Sequence, residues 1–381
     1  MNGTGMKGAA AALALGLSMS LGTLQAFAQE EIVVGGLFDQ SGAAATYGQA
    51  ALDGASLAFD LANEEGGIKG RKLRLMQEDP GFNVGQATAL LQRFANDPSV
   101  VAILGPNSES IGAPITATVN KAEIPTIVTA GAGSRANSAY GDWMFSTAAP
   151  NRASVQKIAE TLKAMGKTKV AVIFSSSRPF AVAAKDDFVA AAASNGLSLA
   201  LEPQAYADSD LNFSAILTKL KAADGIQAVF CSCLPNAAGP IIQQAKQTGL
   251  DVQWAGDVSL LDPTFYTLSQ GQAEGTLAAT PFDPGLDSDV VRTFVTSFKA
   301  KYGRDPNMYH AYAYDSAIGL IQVLNSIEGD TTREAIRKGL SQLAFTGATG
   351  NISYPDGRGQ ASRAGVHVVV MKDGNFVSYK P

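Results

Sequence analysis

The chain has 381 residues, a formal charge of −5, and 46% hydrophobic against 17% charged residues. That length is long for one hydrophobic core and suits two lobes, while the composition excludes wholesale disorder. The acidic balance offers no basic stripe for phosphate contacts, which argues against nucleic acid as a partner. Only two histidines occur, His310 and His367, so a His-based metal site or Ser-His-Asp triad has almost no material.

The first residues set the compartment. Lys7 gives a weakly positive start, and residues 9–24 form an Ala/Leu/Gly run of signal-peptide length. Ala26-Phe27-Ala28 supplies a small-x-small cleavage signal, so the mature chain is expected to begin at Gln29, exported and soluble. The run falls short of the ~20 apolar residues that a membrane span needs.

From residue 32 the pattern alternates. A six-residue apolar run at 32–37 reads as a strand buried on both faces, followed by a small-residue loop and a helix over 49–63. Strands are predicted at 72–77, 101–104, 124–128 and 143–147, with helices over 83–96 and 111–122 between them. The alternation restarts at residue 151. It runs through helices over 152–165, 180–195, 212–223 and 237–248 and strands at 169–174, 197–202, 228–233 and 252–254. Helices over 288–302, 309–327 and 331–340 follow, then two strands around Asp373-Gly374, a strong hairpin signal. Repeated β-α units predict a doubly wound parallel sheet in each half.

The stretch around residues 101–135 attracts most chemistry. Two adjacent strands point polar loops, Gly105-Pro106-Asn107-Ser108-Glu109-Ser110 and residues 129–134, at one sheet edge. Open α/β sheets bind ligands at that edge, and the free N–H groups of a helix start suit a carboxylate. An ordinary N-cap with a tight turn gives the same pattern. Gly131-Ala132-Gly133-Ser134-Arg135-Ala136 imitates a dinucleotide fingerprint, but no acidic residue follows at the spacing that ribose binding needs. Gly166-Lys167-Thr168 ends a helix and does not follow a glycine-rich loop, so it is no phosphate loop. Cys231 and Cys233 read as small core residues, a C-x-C pair on a strand being poorly placed for a disulfide.

GPNSES at 105–110, IPTIVTAGAG at 124–133, GGLFDQSG with Tyr47-Gly48, and GGIKG at 66–70 together resemble the leucine/isoleucine/valine-binding family of type I periplasmic solute receptors. The resemblance covers essentially the whole mature chain. It implies two α/β lobes, each a doubly wound parallel sheet, joined by three crossovers. Lobe 1 would comprise residues 29–147 and 278–353, and lobe 2 residues 148–277 and 354–381, after the signal peptide at 1–28. It further implies a ligand-loaded monomer that an ABC permease recognises, with no cofactor, no metal and no catalysis.

Site residues follow from the same resemblance. Ser108, Glu109 and Ser110, with Ala130, Gly131 and Ala132, would hold the ligand's carboxylate and ammonium on lobe 1, and Tyr47 would form an aromatic wall. Lobe 2 would supply Phe180, Arg178, Leu234 and Asp257, the last near the family's acidic partner for an α-ammonium. Glu109 stands where the family has serine, Ala132 where it has threonine, and Leu234 where it often has tyrosine. An apolar amino acid is therefore the leading ligand, and a carboxylate without an amine, such as an aromatic acid, the alternative. A sensory ligand-binding subunit is a further reading. Asp257 could equally cap a turn, Arg178 be a surface cation and Tyr47 a packing residue.

Overall fold

The computed structural model describes residues 31–129, 140–148, 150–262, 264–357, 359–360 and 362–380. The first sheet takes β1 (Ile32–Leu37), β2 (Leu73–Glu78), β3 (Val100–Leu104), β4 (Thr126–Val128) and β5 (Met144–Ser146), all parallel. Between them run α1 (Ala45–Glu64), α2 (Val84–Asn96) and α3 (Glu109–Ala122). The second sheet is fed by α4 (Asn151–Ala164), β6 (Lys169–Ser175), α5 (Pro179–Ser194), β7 (Ser198–Leu199), β8 (Gln204–Tyr206), α6 (Ser214–Ala222), β9 (Ala228–Ser232), α7 (Pro235–Gln247), β10 (Gln253–Gly256), α8 (Thr264–Leu268) and β11 (Leu277–Thr280). The chain then returns through α9 (Asp289–Tyr302), α10 (Met308–Ser326) and α11 (Arg333–Ser341), which pack on the first lobe. A small sheet of β12 (Ala344–Gly347), β13 (Gly350–Ser353) and β15 (Ser362–Ala364) follows, with β14 (Gly359–Gln360) added to the first sheet beside β5. The hairpin of β16 (His367–Lys372) and β17 (Asn375–Ser378) closes the second sheet.

Sheet order explains where a ligand can bind. The first sheet runs β14-β5-β4-β3-β1-β2, so its order reverses between β1 and β3. The second runs β17-β16-β11-β10-β9-β6-β7, with β8 also on β6, and reverses between β6 and β9. At such a switch point the loops leaving neighbouring strands diverge to opposite faces and leave a crevice. Each sheet is sandwiched between two apolar clusters, which is why β1 and β9 are buried at every residue.

Several expectations need correction. Of the strand expected at 197–202 only β7 at Ser198–Leu199 forms, and the unexpected β8 starts at Gln204, after Pro203, which cannot donate to the ladder. The second crossing falls after Thr280, not at 277–278, since Leu277–Thr280 pairs with β10 and β16. The third falls between Ala364 and His367, not at 353–354, because Gly359 and Gln360 still pair with β5. The cysteine reading is overturned as well: Cys231 and Cys233 form a disulfide with their Cα atoms 5.4 Å apart. β9 ends at Ser232, so the backbone contracts below the roughly 6.6 Å that two fully extended residues span. That brings the pair close to the commonest spacing of bridged cysteines.

The hairpin expectation holds, and its turn shows why. Asp373 and Gly374 have φ of 50° and 82°, the left-handed pair that a two-residue hairpin turn requires.

Candidate functional site

The loops from both switch points meet around one cavity of about 140 Å³. From the first lobe it is lined by Ala44, Tyr47, Phe82, Asn107, Ser108, Glu109, Ser110, Met308, Tyr309 and Tyr312. From the second come Asn151, Arg178, Phe180, Leu234, Val258 and Ser259. A cavity of about 150 Å³ holds a benzene ring. This space therefore suits a small ring or a branched aliphatic body. Larger cavities lie elsewhere in the molecule, but none of them gathers the loops of both switch points.

Local backbone chemistry places the first-lobe residues. Gly105 has φ 104°, and a Cβ there would stand 2.3 Å from the Leu37 carbonyl, so only glycine lets the β3 exit loop pass β1. Ser108 is the N-cap of α3 and its hydroxyl accepts from the Ser110 N–H at 3.2 Å. Glu109 in the first turn suits the positive end of the helix dipole. Fully buried Asp39 ties three loops together: its N–H donates to Asn107 Oδ1 at 2.8 Å and its Oδ1 accepts from the Phe82 N–H at 2.7 Å. Burial pushes its carboxyl above the usual range.

Tyr47 stands in the first turn of α1, its ring 4.6 Å from that of Tyr309 in the first turn of α10. Burial and then the charge of Asp262 push the Tyr47 phenol up to about 12, partly offset by Arg178 across the cleft. Both phenols stay neutral, as an aromatic wall needs. The Gly48 that follows has a physical reason too. A Cβ on it would stand 1.8 Å from the Asp39 carbonyl, so α1 can approach the β1 exit loop only without a side chain there.

On the second lobe, Arg178 is the N-cap of α5 and Phe180 its second residue, while Leu234 is the N-cap of α7. Arg178 Nε donates to Asp208 Oδ2 at 2.9 Å, and the Ser175 hydroxyl donates to Asp208 Oδ1 at 2.6 Å. The guanidinium is thereby oriented along the cleft wall. Asn151 opens α4, is 4% exposed, and neither atom of its amide has a hydrogen-bond partner among the described residues. The Asn107 Nδ2 is in the same condition.

Seven of the expected residues, Tyr47, Ser108, Glu109, Ser110, Arg178, Phe180 and Leu234, line this one cavity. Ala130, Gly131 and Ala132 lie outside the described residues. Asp257 is withdrawn from the lining. It is fully buried behind Val258 and Ser259, accepts from the Ser232 hydroxyl at 2.5 Å and from the Ser259 N–H at 2.9 Å, and caps a 3-10 turn. Desolvation pushes its carboxyl up, against those hydrogen bonds. Sequence reasoning missed Asn107, Asn151, Phe82, Met308, Tyr309 and Tyr312. Asn307 before Met308 was a legible helix N-cap, while Asn151 carried no local signal of its role.

The electrostatics have one theme. α1, α3, α4, α5, α7 and α10 all start at this cavity, so the positive ends of six helix dipoles converge on it. Glu109 and Arg178 are the charged residues of the lining. No cluster of metal-ligating side chains occurs among the described residues, and none of their helices is long and apolar enough to cross a membrane.

Two sheets whose switch points face one another across a shared cavity, with three chain crossings between them, define a two-lobed receptor for a small molecule. The chain belongs to the periplasmic binding protein family, whose signature matches residues 31–375. It is 25% identical over 315 residues to an amino acid binding protein of Pseudomonas aeruginosa, a match covering 82% of this chain and 83% of that one. Its backbone matches the substrate-binding protein LivJ of Streptococcus pneumoniae, solved with isoleucine, with a TM-score of 0.81 at 22% identity over 92% of this chain and 100% of that one. A solute-binding protein of R. palustris, solved with benzoate, matches with a TM-score of 0.79 at 18% identity over 91% and 95% of the two chains.

Proposed function

We propose that this protein is the exported, monomeric solute-binding component of an ABC importer, closing its lobes by hinge rotation over a small organic acid with an apolar body. The observation that carries the reading is the convergence of six helix N-termini and Arg178 on a cavity walled by Tyr47, Tyr309 and Phe180. Such a surface attracts a carboxylate and gives the rest of the ligand an apolar face. An amino acid with a branched, apolar side chain is the leading ligand, supported by the amino acid and isoleucine receptors that the chain resembles. In this reading Glu109 meets the ammonium.

The second reading, an aromatic acid without an amine, is favoured by one specific observation. Asp257, the expected ammonium partner, is spent on Ser232 and Ser259 behind the lining. Export rests on residues 1–28, cleaved after Ala28, and the loaded, closed shape is what the permease recognises. The protein binds and releases its ligand unchanged.

Isothermal titration of the mature protein, unfolded and refolded to strip carried ligand, tests both readings. Leucine, valine and isoleucine are set against benzoate, 4-hydroxybenzoate and phenylacetate. Micromolar or tighter binding within the first set establishes the amino acid reading, and binding confined to the second establishes the amine-free one. Silence across both sets removes the ligand assignment.

A further inference from the structure

Arg178 and Asn151 are the second-lobe lining residues with unused hydrogen-bonding groups, as Asn107, through its Nδ2, is on the first. The guanidinium spends Nε on Asp208, and its two terminal nitrogens make no hydrogen bond among the described residues. Those nitrogens form the planar fork that matches a carboxylate. Asn151 is the sharper observation. It is almost fully buried, borders the cavity, and leaves both amide atoms unpaired among the described residues. An unpaired buried amide is costly, so such a group persists where something else completes it. It sits at the first residue of α4, whose N-cap, Pro150, supplies no side-chain cap.

Both residues belong to the second lobe, and both border a cavity small enough for one ligand to reach them together. The resemblance drawn above assigns the carboxylate to the first lobe, whose charged lining residue, Glu109, is an anion that repels it, although the Ser108 hydroxyl, which accepts from the Ser110 N–H, keeps its own O–H to donate. We infer that Arg178 and Asn151 form a second-lobe clamp on the ligand's carboxylate, which selects acids over their neutral amides and draws the lobes together. Arg178 supplies the paired donors and the charge, and Asn151 Nδ2 a further donor. Asp208, fixed by Ser175, keeps the fork aimed. The Arg178–Asp208 pair is part-exposed and therefore weak, so it leaves the guanidinium able to hold a second anion. The proposal rests on the ligand being a small carboxylate, and holds equally for an amino acid or an aromatic acid.

The test uses two pairs of probes, benzoate with benzamide and isoleucine with isoleucinamide, titrated into the mature protein. The wild type is expected to bind the acid of at least one pair about 100-fold more tightly than its amide. Arg178→Gln should lose the acid by about that factor and spare the amide, collapsing the discrimination, and Arg178→Lys should recover part of it. Asn151→Asp is nearly isosteric and places its charge at a helix start, where it is tolerated. It should weaken the acid by about 30-fold and leave the amide within threefold. Retained acid-over-amide discrimination in both Arg178→Gln and Asn151→Asp, with unchanged melting curves, overturns the clamp and leaves the proposed function standing. A wild type that binds neither acid removes the carboxylate reading and the clamp with it.

Discussion

The two walls of the cleft are built on the same plan and finished differently. Each is the set of loops at a switch point of a doubly wound sheet, with helix starts aimed inward. The first lobe finishes its wall with aromatic rings, Tyr47, Phe82, Tyr309 and Tyr312, over a backing locked by Asp39 and Asn107. The second finishes with a cation, Arg178, and an amide open at both atoms, Asn151, plus Phe180 and Leu234, whereas the charge on the first wall is the anion of Glu109. Architecture thus fixes that there is a site and which sign of charge it attracts. The division of labour between shape and charge is written in side chains that the architecture does not dictate.

The largest expected effect breaks the first wall at its backing. Gly48→Ala forces a methyl against the Asp39 carbonyl and should destabilise the fold by about 3 kcal/mol, measured as a lower urea midpoint at unchanged slope. Wild-type-like stability would show that α1 can move away from the β1 loop at little cost. Tyr47→Ala leaves the backing intact and removes the ring facing Tyr309. It should weaken whichever ligand binds by about 30-fold, or about 2 kcal/mol, by titration calorimetry. Equal losses for an acid and its amide mark a wall that reads shape; losses confined to the acid would contradict the contrast between the walls.

Acid sharpens the comparison. His310, in the first turn of α10 beside Tyr309, is held down to about 3 by burial and then by Arg304, which donates to its Nε2 at 2.9 Å. A lowered folded value means its stabilisation is complete above the ordinary value near 6.5 and declines as pH falls towards the folded value. The contribution lost is about 1.4 kcal/mol at about pH 5.5, so His310→Gln should flatten the fall in denaturation midpoint between pH 7 and 5. An unchanged slope would place the acid sensitivity elsewhere.

Asp257 on the second lobe works in the opposite sense. Its raised folded value means its contribution is complete below the ordinary value near 3.8 and is lost as pH rises through the folded one. Asp257→Asn should therefore be at least as stable as the wild type at pH 7, since an amide can still accept from the Ser259 N–H and donate to Ser232. It should also leave ligand affinity within about twofold. A tenfold loss for isoleucine alone would return Asp257 to the site as an ammonium partner.

What was legible in the chain was local. Apolar runs bounded by glycine and proline marked β1, β3, β6 and β9, and Asn83, Ser108 and Thr332 cap helices where hydroxyl or amide side chains precede them. Short pieces such as β8 and the β12–β13 pair escaped notice, because they acquire their extended form from a partner strand and not from their own composition. The crossing points at Thr280 and beyond Ala364 were misjudged for the same reason, since the lobe a strand belongs to is decided by what it pairs with.

By itself the sequence determined the alternation of elements, the two-lobed α/β class and the loops that carry the site, because hydrophobic period, caps and turn residues act over a few positions. Only the tertiary structure decided that Asn151 and Tyr309 border the cavity, that Asp257 lies behind it, and that Arg178 is aimed by Asp208. Those roles depend on contacts between residues far apart in the chain, and a side chain's local neighbours carry no record of what the fold will set against it.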